Sequence, residues 1–208
     1  MAATPLFPLG NALFPDGVTH LRIFEVRYLD MIGKCIADGG SFGVVPLLEG
    51  REVRTPEGKE VLAGAGTLAR IVEHSAPMPG LLQIVCTGTS RFRLLSAEQG
   101  RFGLWSGEID ILADDPPRPI PRELQPCANA LGALIADLQR RGTPAALMPI
   151  APPFRLDECG WVADRWGEIL PLPPAIRQEL LLATDPELRL AQVHELLDAR
   201  GLLPPGAD

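Results

Sequence analysis

A cluster of prolines near the middle of the chain constrains its architecture more than any other feature. Residues 114–121 read Asp-Asp-Pro-Pro-Arg-Pro-Ile-Pro, so four of the six residues 116–121 are proline. Proline lacks the backbone N–H that the interior of a helix or strand needs, so neither element is expected to run through this segment. We therefore predict a linker at 113–122 that separates a lobe at 1–112 from a second lobe at 123–208.

The first of these lobes has the pattern of a mainly β structure with one helix. Residues 5–9 suit an edge strand that leads into a loop. From Phe24 apolar residues recur every three or four positions until Gly39, which predicts a helix ended by glycine. Turn residues then separate short apolar stretches, which predicts strands at 42–48, 67–74, 81–87, 92–95 and 102–112. This spacing favours a mainly antiparallel barrel or sandwich over a doubly wound sheet.

The second lobe has the pattern of helices. Apolar stripes predict helices at 124–138, from about 157 to 170, at 175–182 and at 186–200. Asp185 is placed to cap the last of these, with Pro186 at its first turn and Gly201 after its end. The whole chain is thus predicted to be α+β, with a β lobe followed by a C-terminal helical lobe.

Charge and cysteine content exclude several classes of function. The net charge is −7, and nucleic acids and anionic membranes both attract clustered positive charge, so neither is an expected partner. The four cysteines lie far apart, each in an apolar run, which indicates buried thiols without a metal. The N-terminus lacks the basic start of a signal peptide, so we expect a cytoplasmic location.

Two short motifs resemble catalytic or cofactor sites but stand in the wrong context. Residues 39–43 match G-x-S-x-G and would make Ser41 a nucleophile, yet that motif needs a strand before the serine and a helix after it, the reverse of the predicted order. Residues 64–69 match a loose dinucleotide pattern but lead into a strand instead of a helix. We therefore expect no enzyme activity, catalytic residue, cofactor or metal. A hydrolase that uses Ser41 or a cysteine remains an alternative to be tested.

Arginines in the β lobe leave a second alternative open. Arg70, Arg91, Arg93 and Arg101 lie near aromatic residues, a combination that can bind RNA through phosphate contacts and stacking. The same alternation is typical of a strand with one solvated and one buried face, which is the interpretation that we prefer.

Several runs of sequence resemble the N-terminal substrate-recognition domain of the Lon protease family. The resemblance covers nearly the whole chain. It includes Pro-Leu-Phe-Pro-Leu at 5–9, Ile-Phe-Glu-x-Arg-Tyr at 23–28, Arg-Phe-Arg-Leu at 91–94 and Asp-Pro-x-x-Arg-Leu at 185–190.

This resemblance implies a PUA-like β lobe, a helical lobe and a role in holding unfolded or tagged polypeptides. Lon's ATPase and peptidase domains are expected to be missing, because the chain ends at residue 208. A separate ATP-dependent protease or chaperone is then a further candidate partner. An RNA-binding PUA-like module is the alternative function.

The predicted polypeptide-binding residues lie around the first helix and the strand that contains Arg91. They are Glu25, Arg27, Tyr28, Arg91, Phe92 and Trp105. The competing interpretation is that Glu25, Arg27 and Arg91 form an ion pair that fastens the helix to the sheet.

Overall fold

The computed structural model describes residues 3–52, 59–144 and 148–203, apart from the Arg101 side chain. It divides into two compact units that alternate along the chain. The first unit contains the residues up to Ala113 together with Leu172–Leu182, and the second contains Asp114–Pro171 and the residues from Ala183 onward. The linker at 113–122 stays a prediction. The sequence pattern did not indicate that Leu172–Leu182 belongs to the first unit.

Strands of the first unit form a closed barrel. Those among the described residues are β1 (Thr4–Leu9), β2 (Val18–Ile23), β3 (Ser41–Glu49), β4 (Val61–Leu62), β5 (Ala65–Met78), β6 (Leu81–Gln99) and β7 (Trp105–Ile111). Neighbouring strands follow the order β1-β7-β6-β5-β3, and β3 pairs in parallel with β1, which completes the ring. The other pairings of these strands are antiparallel, with β2 added to β6 and β4 added to β3.

The first strand differs from its prediction. It was expected at an edge, but β1 pairs with β3 on one side and with β7 on the other. The prolines of this strand suggested an edge because an edge strand tolerates missing N–H donors. A closed barrel leaves its strands without free edges, and that closure depends on segments more than 30 residues away, which local sequence does not show.

Helices are divided between the two units. They are α1 (Val26–Asp38), α2 (Gln125–Arg140), α3 (Cys159–Ile169), α4 (Pro174–Leu182) and α5 (Pro186–Asp198). The predicted end of α1 is confirmed, because Gly39 adopts a left-handed conformation at φ 63° and donates its N–H to the Cys35 carbonyl. The predicted cap of α5 is confirmed as well, since the Asp185 side chain accepts hydrogen bonds from the N–H groups of Glu187 and Leu188.

Two apolar clusters stabilise the first unit. One lies between α1 and the outside of the barrel, where Tyr28, Met31 and Ile32 contact side chains such as Phe7 and Phe42. The other fills the barrel itself and contains the buried side chains Leu6, Val45, Ala63 and Phe92. Burial of these side chains from water is the main stabilising contribution to such a lobe.

Helix α4 packs on β3, β5 and β6, and three side chain to backbone hydrogen bonds also join it to the rest of the first unit. Gln178 accepts from the Gly64 N–H at 2.6 Å, and Arg177 donates to the Gly10 carbonyl at 3.1 Å. Arg91 donates to the Leu181 carbonyl at 3.0 Å. Arg91 is therefore buried under α4, which corrects for this residue the expectation of a solvated strand face. Arg70 and Arg93 are exposed, as that expectation has it.

The second unit is built around α3, which is buried over most of its length. Trp161, Val162 and Trp166 contribute to its core, and the Trp166 indole donates to the Cys127 carbonyl of α2 at 3.0 Å. The fully buried Arg189 of α5 lies 3.1 Å from the Asp164 carboxylate, so the charge inside this unit is paired.

Candidate functional site

Arg27, in the first turn of α1, is the charged centre of the candidate site. Its side chain is only 4% exposed, and its Nη2 lies 3.0 Å from Oε2 of Glu25 and 3.8 Å from Oε1 of Glu60. Its guanidinium carbon lies 4.4 Å from the centre of the Tyr28 ring, in cation–π geometry. Two carboxylates and one aromatic face thus offset the cost of burying this charge.

Glu60, which sequence reasoning missed, contacts Arg27 and also binds side chains of β6 and β7. Its Oε2 accepts hydrogen bonds from the Trp105 indole at 2.5 Å and from the Gln99 amide at 3.2 Å. Glu60 lies 33 residues from Arg27 and 45 from Trp105. A lone glutamate at such separations belongs to no sequence motif. Only the closing of the barrel brings these side chains together.

Arg27 also fixes the turn that displays Phe102. Its Nη1 donates to the Gly103 carbonyl at 2.6 Å, and Gly100 donates to the Leu104 carbonyl at 2.8 Å across the turn. Phe102 has φ 60° and its side chain is 82% exposed. A left-handed non-glycine residue costs about 1–2 kcal/mol, so the surrounding contacts must hold the turn in this shape.

A groove of about 570 Å³ lies between α1 and this turn. Its floor contains the buried Met31 and Cys35 of α1, and its opposite wall contains Phe102 and Leu104. The remaining lining residues are Pro5, Arg27, Asp30, Lys34, Asp38, Gly40, Ser41, Gly100 and Ser106. The groove is therefore mainly apolar with charged residues along its rim, a composition typical of sites that bind apolar groups.

Four of the six residues predicted to bind polypeptide lie around Arg27, and of these four Arg27 lines the groove itself. Glu25, Arg27 and Trp105 share the network around Glu60, and Tyr28 stacks on Phe7 at a centroid distance of 4.2 Å. Burial holds the pKa of the Tyr28 phenol well above its ordinary value, although Arg27 partly offsets this effect. Tyr28 therefore stays neutral and acts as a packing residue.

The other two predicted residues lie in different surroundings. Phe92 is fully buried inside the barrel, so its ring contacts Leu6 rather than solvent. Arg91 lies under α4, where it donates to Leu181. The alternating directions of side chains along a strand place these two neighbours on opposite faces of β6.

The four cysteines and Ser41 do not stand in the settings that activate a nucleophile. Burial raises the pKa of the Cys86 and Cys127 thiols to about 12 and that of Cys159 to about 11, and it also raises the pKa of Cys35. Such thiols carry little of the reactive thiolate at neutral pH. Ser41 begins β3 directly after α1, the opposite of the strand-then-helix context that a nucleophile elbow needs.

Residues 3–52, 59–144 and 148–203 contain no group of three His, Cys, Asp or Glu side chains that could hold a metal ion. None of the helices in these ranges has the length and apolar character needed to cross a membrane.

Known proteins resemble this chain along almost its full length. At 30% identity, the Lon N-terminal domain protein from Xanthomonas campestris matches with a TM-score of 0.71, over 94% of this chain and 98% of that one. The N-terminal domain of Mycobacterium avium complex Lon protease has the same fold, with a TM-score of 0.60 and 18% identity over 95% of this chain and 98% of that one.

Among curated proteins, the Lon protease of Paraburkholderia phytofirmans is 26% identical over 203 aligned residues. Those residues make up 94% of this chain but 24% of that protein, so the chain spans about a quarter of its relative's length. The family model of the ATP-dependent protease La (LON) substrate-binding domain matches residues 3–199. The chain therefore belongs to the family of LON substrate-binding domains.

Proposed function

We propose that this protein is a non-catalytic polypeptide-binding or adaptor domain that holds unfolded or tagged proteins. The observation that carries the proposal is the match of residues 3–199 to a substrate-binding domain. A separate ATP-dependent protease or chaperone would then act on the captured chain. The cytoplasmic location expected from the sequence stays part of this proposal.

The groove beside α1 supports the proposal on physical grounds. A protein that accepts many unfolded clients needs apolar surface that is exposed before binding. Phe102 supplies such a surface at the mouth of the groove, and Met31 and Leu104 continue it inward. Glu25, Arg27 and Trp105 contribute indirectly by fixing the turn, whereas Phe92 supports the barrel from within.

Binding to a permanently unfolded protein tests this function. We expect reduced and carboxymethylated α-lactalbumin, labelled with fluorescein, to show increased anisotropy when the protein is added. The variant Phe102→Ser should bind about tenfold more weakly, since losing an exposed aromatic contact costs about 1–2 kcal/mol. Leu188→Ser is the matched control, because Leu188 is also well exposed but lies in the second unit.

The outcomes separate the alternatives. A protein that leaves the anisotropy of every unfolded client unchanged would contradict the proposal. A salt-dependent shift with structured RNA, in place of client binding, would favour the RNA-binding alternative, which the net charge of −7 disfavours. Hydrolysis of ester or peptide substrates that is lost in Ser41→Ala would favour the hydrolase.

A further inference from the structure

Three charged side chains follow one face of α1 along the groove. Asp30, Lys34 and Asp38 are each four residues apart, all three are exposed, and all three line the groove. Residues at this spacing lie above one another on a helix. The two carboxylates therefore stand about 12 Å apart along the rim, given a rise of about 1.5 Å per residue.

The apolar floor lies between these two carboxylates. Met31 and Cys35 occupy the next positions around α1 and are buried, while Phe102 and Leu104 stand across from them. An extended polypeptide advances about 3.3 Å per residue, so about four residues span the distance from one carboxylate to the other. If one side chain of a bound polypeptide enters at the floor, the residues two positions before and after it lie close to the two carboxylates.

Among the described side chains, the charged residues at the rim of the groove carry an excess of negative charge. The positive charge of Arg27 is compensated by Glu25 and Glu60 at the base. On α1 itself, Lys34 stands between Asp30 and Asp38, so these three side chains carry one positive and two negative charges. Next to a low-dielectric apolar floor, such an excess attracts cationic groups more strongly than it would in open solvent.

We propose that the groove selects extended polypeptide segments in which a bulky apolar side chain stands within about two residues of a lysine or arginine. The apolar side chain enters between Met31 and Phe102, and the basic side chain pairs with Asp30 or Asp38. This inference rests on the proposed function and adds to it a chemical class of client.

Three matched peptides test the selection. Each is nine residues long, labelled with fluorescein, and carries a central leucine in a glycine-serine context, with Lys, Gln or Glu two residues to either side. We expect the Lys peptide to bind roughly tenfold more tightly than the Glu peptide at 50 mM salt, with the Gln peptide between them. The difference should shrink at 300 mM salt, because salt screens charges at an exposed rim.

Variants test whether Asp30 and Asp38 cause the preference for the Lys peptide. The double variant Asp30→Asn, Asp38→Asn should bring the dissociation constant of the Lys peptide to that of the Gln peptide. Asp198→Asn removes an exposed aspartate at the end of α5 and should leave the peptide preference unchanged. Circular dichroism of each variant establishes that the helices are intact.

The possible outcomes distinguish a failure of the proposed peptide selection from a failure of the proposed function. Equal binding of all three peptides, with unfolded α-lactalbumin still bound, would overturn the selection and leave the proposed function standing. A concentration-dependent dimer that Phe102→Ser dissociates, without any peptide preference, would show that a second copy of the chain covers the groove and would also overturn it. Failure to bind any unfolded client would overturn both.

Discussion

At the scale of single residues, the site depends on one buried guanidinium with several partners. Arg27 contacts two carboxylates, one aromatic ring and one carbonyl. Glu25 and Tyr28 flank it in sequence, whereas Glu60 and Gly103 come from distant segments of the first unit. A buried ion pair adds modest net stability compared with an apolar pair, but its disruption leaves uncompensated charge. The value of Arg27 lies in fixing the position of the turn that displays Phe102.

We expect Arg27→Met to destabilise the first unit by about 3–5 kcal/mol, because Glu60 would be left buried without its cation. Urea denaturation followed by Trp105 fluorescence measures the effect, in a background where Trp161 and Trp166 are replaced by phenylalanine. Arg93→Met is the control. Arg93 and Asp110 are 51% and 57% exposed, so its loss should cost under about 1 kcal/mol. Equal costs for the two variants would contradict the assigned role of Arg27.

Gly88 provides a second prediction at this scale. A Cβ added at this position would lie 2.1 Å from the Phe14 carbonyl oxygen, so Gly88→Ala should force the backbone to move and lower the midpoint of thermal unfolding by several degrees. Gly33→Ala is the matched control, since a methyl group added to Gly33 on α1 would have no neighbouring atom within 4 Å among the described residues. There alanine should raise stability by about 0.5–1 kcal/mol, through its better helix propensity.

At the scale of elements, helix capping gives a prediction that depends on pH. Hydrogen bonds from Leu188 and Glu187 hold the pKa of the Asp185 carboxyl below its ordinary value. A group whose pKa is lower in the folded state stabilises it above the unfolded pKa, and that contribution disappears as the pH falls through the folded pKa. The difference in thermal midpoint between the natural protein and Asp185→Ala should therefore be present at pH 7 and shrink as the pH falls below about 4.

An unchanged difference between pH 7 and pH 3 would contradict this role for the carboxylate. Glu195→Ala serves as a control on the same helix, because Glu195 is exposed and its side chain does not cap the helix start.

The helices could be predicted from sequence more fully than the strands. Each helix carries its own periodicity and end signals, as Gly39 and Asp185 illustrate. Strand β2 was missed, because its three apolar residues do not all lie on one face of the strand and its partner, β6, starts 58 residues further along. Separate strands were predicted at 81–87 and 92–95, yet β6 runs through Gly88 without a break. Because glycine has no side chain, the strand can pass close to Phe14 at this position.

The candidate site could be predicted only in part. Glu25, Arg27 and Tyr28 are adjacent in sequence and follow the family pattern, so a local motif was enough to find them. Glu60 and Phe102 are distant from them, and their importance depends on the shape of the barrel and on the left-handed turn. Phe92 belongs to a different run of the family pattern, at 91–94, but which face of β6 it occupies follows from strand register.

At the scale of the whole molecule, both units protect their cysteines from solvent. All four thiols are buried and have raised pKa values, so we expect very slow reaction with Ellman's reagent at pH 8 in the folded protein. Four thiols should react in denaturant. Rapid reaction of Cys86 or Cys127 before unfolding, identified by mass spectrometry, would contradict the burial described for the two units.

The path of the chain between its two units has a consequence for synthesis on the ribosome. Strand β1 emerges early, but the ring that it closes also needs β7, and the helix that covers Arg91 and Gly64 ends at Leu182. By then all of Asp114–Pro171 has been translated. During the synthesis of Asp114–Pro171 the barrel therefore lacks α4, and the surface around Arg91 and Gly64 that this helix covers is exposed to solvent and to other nascent chains.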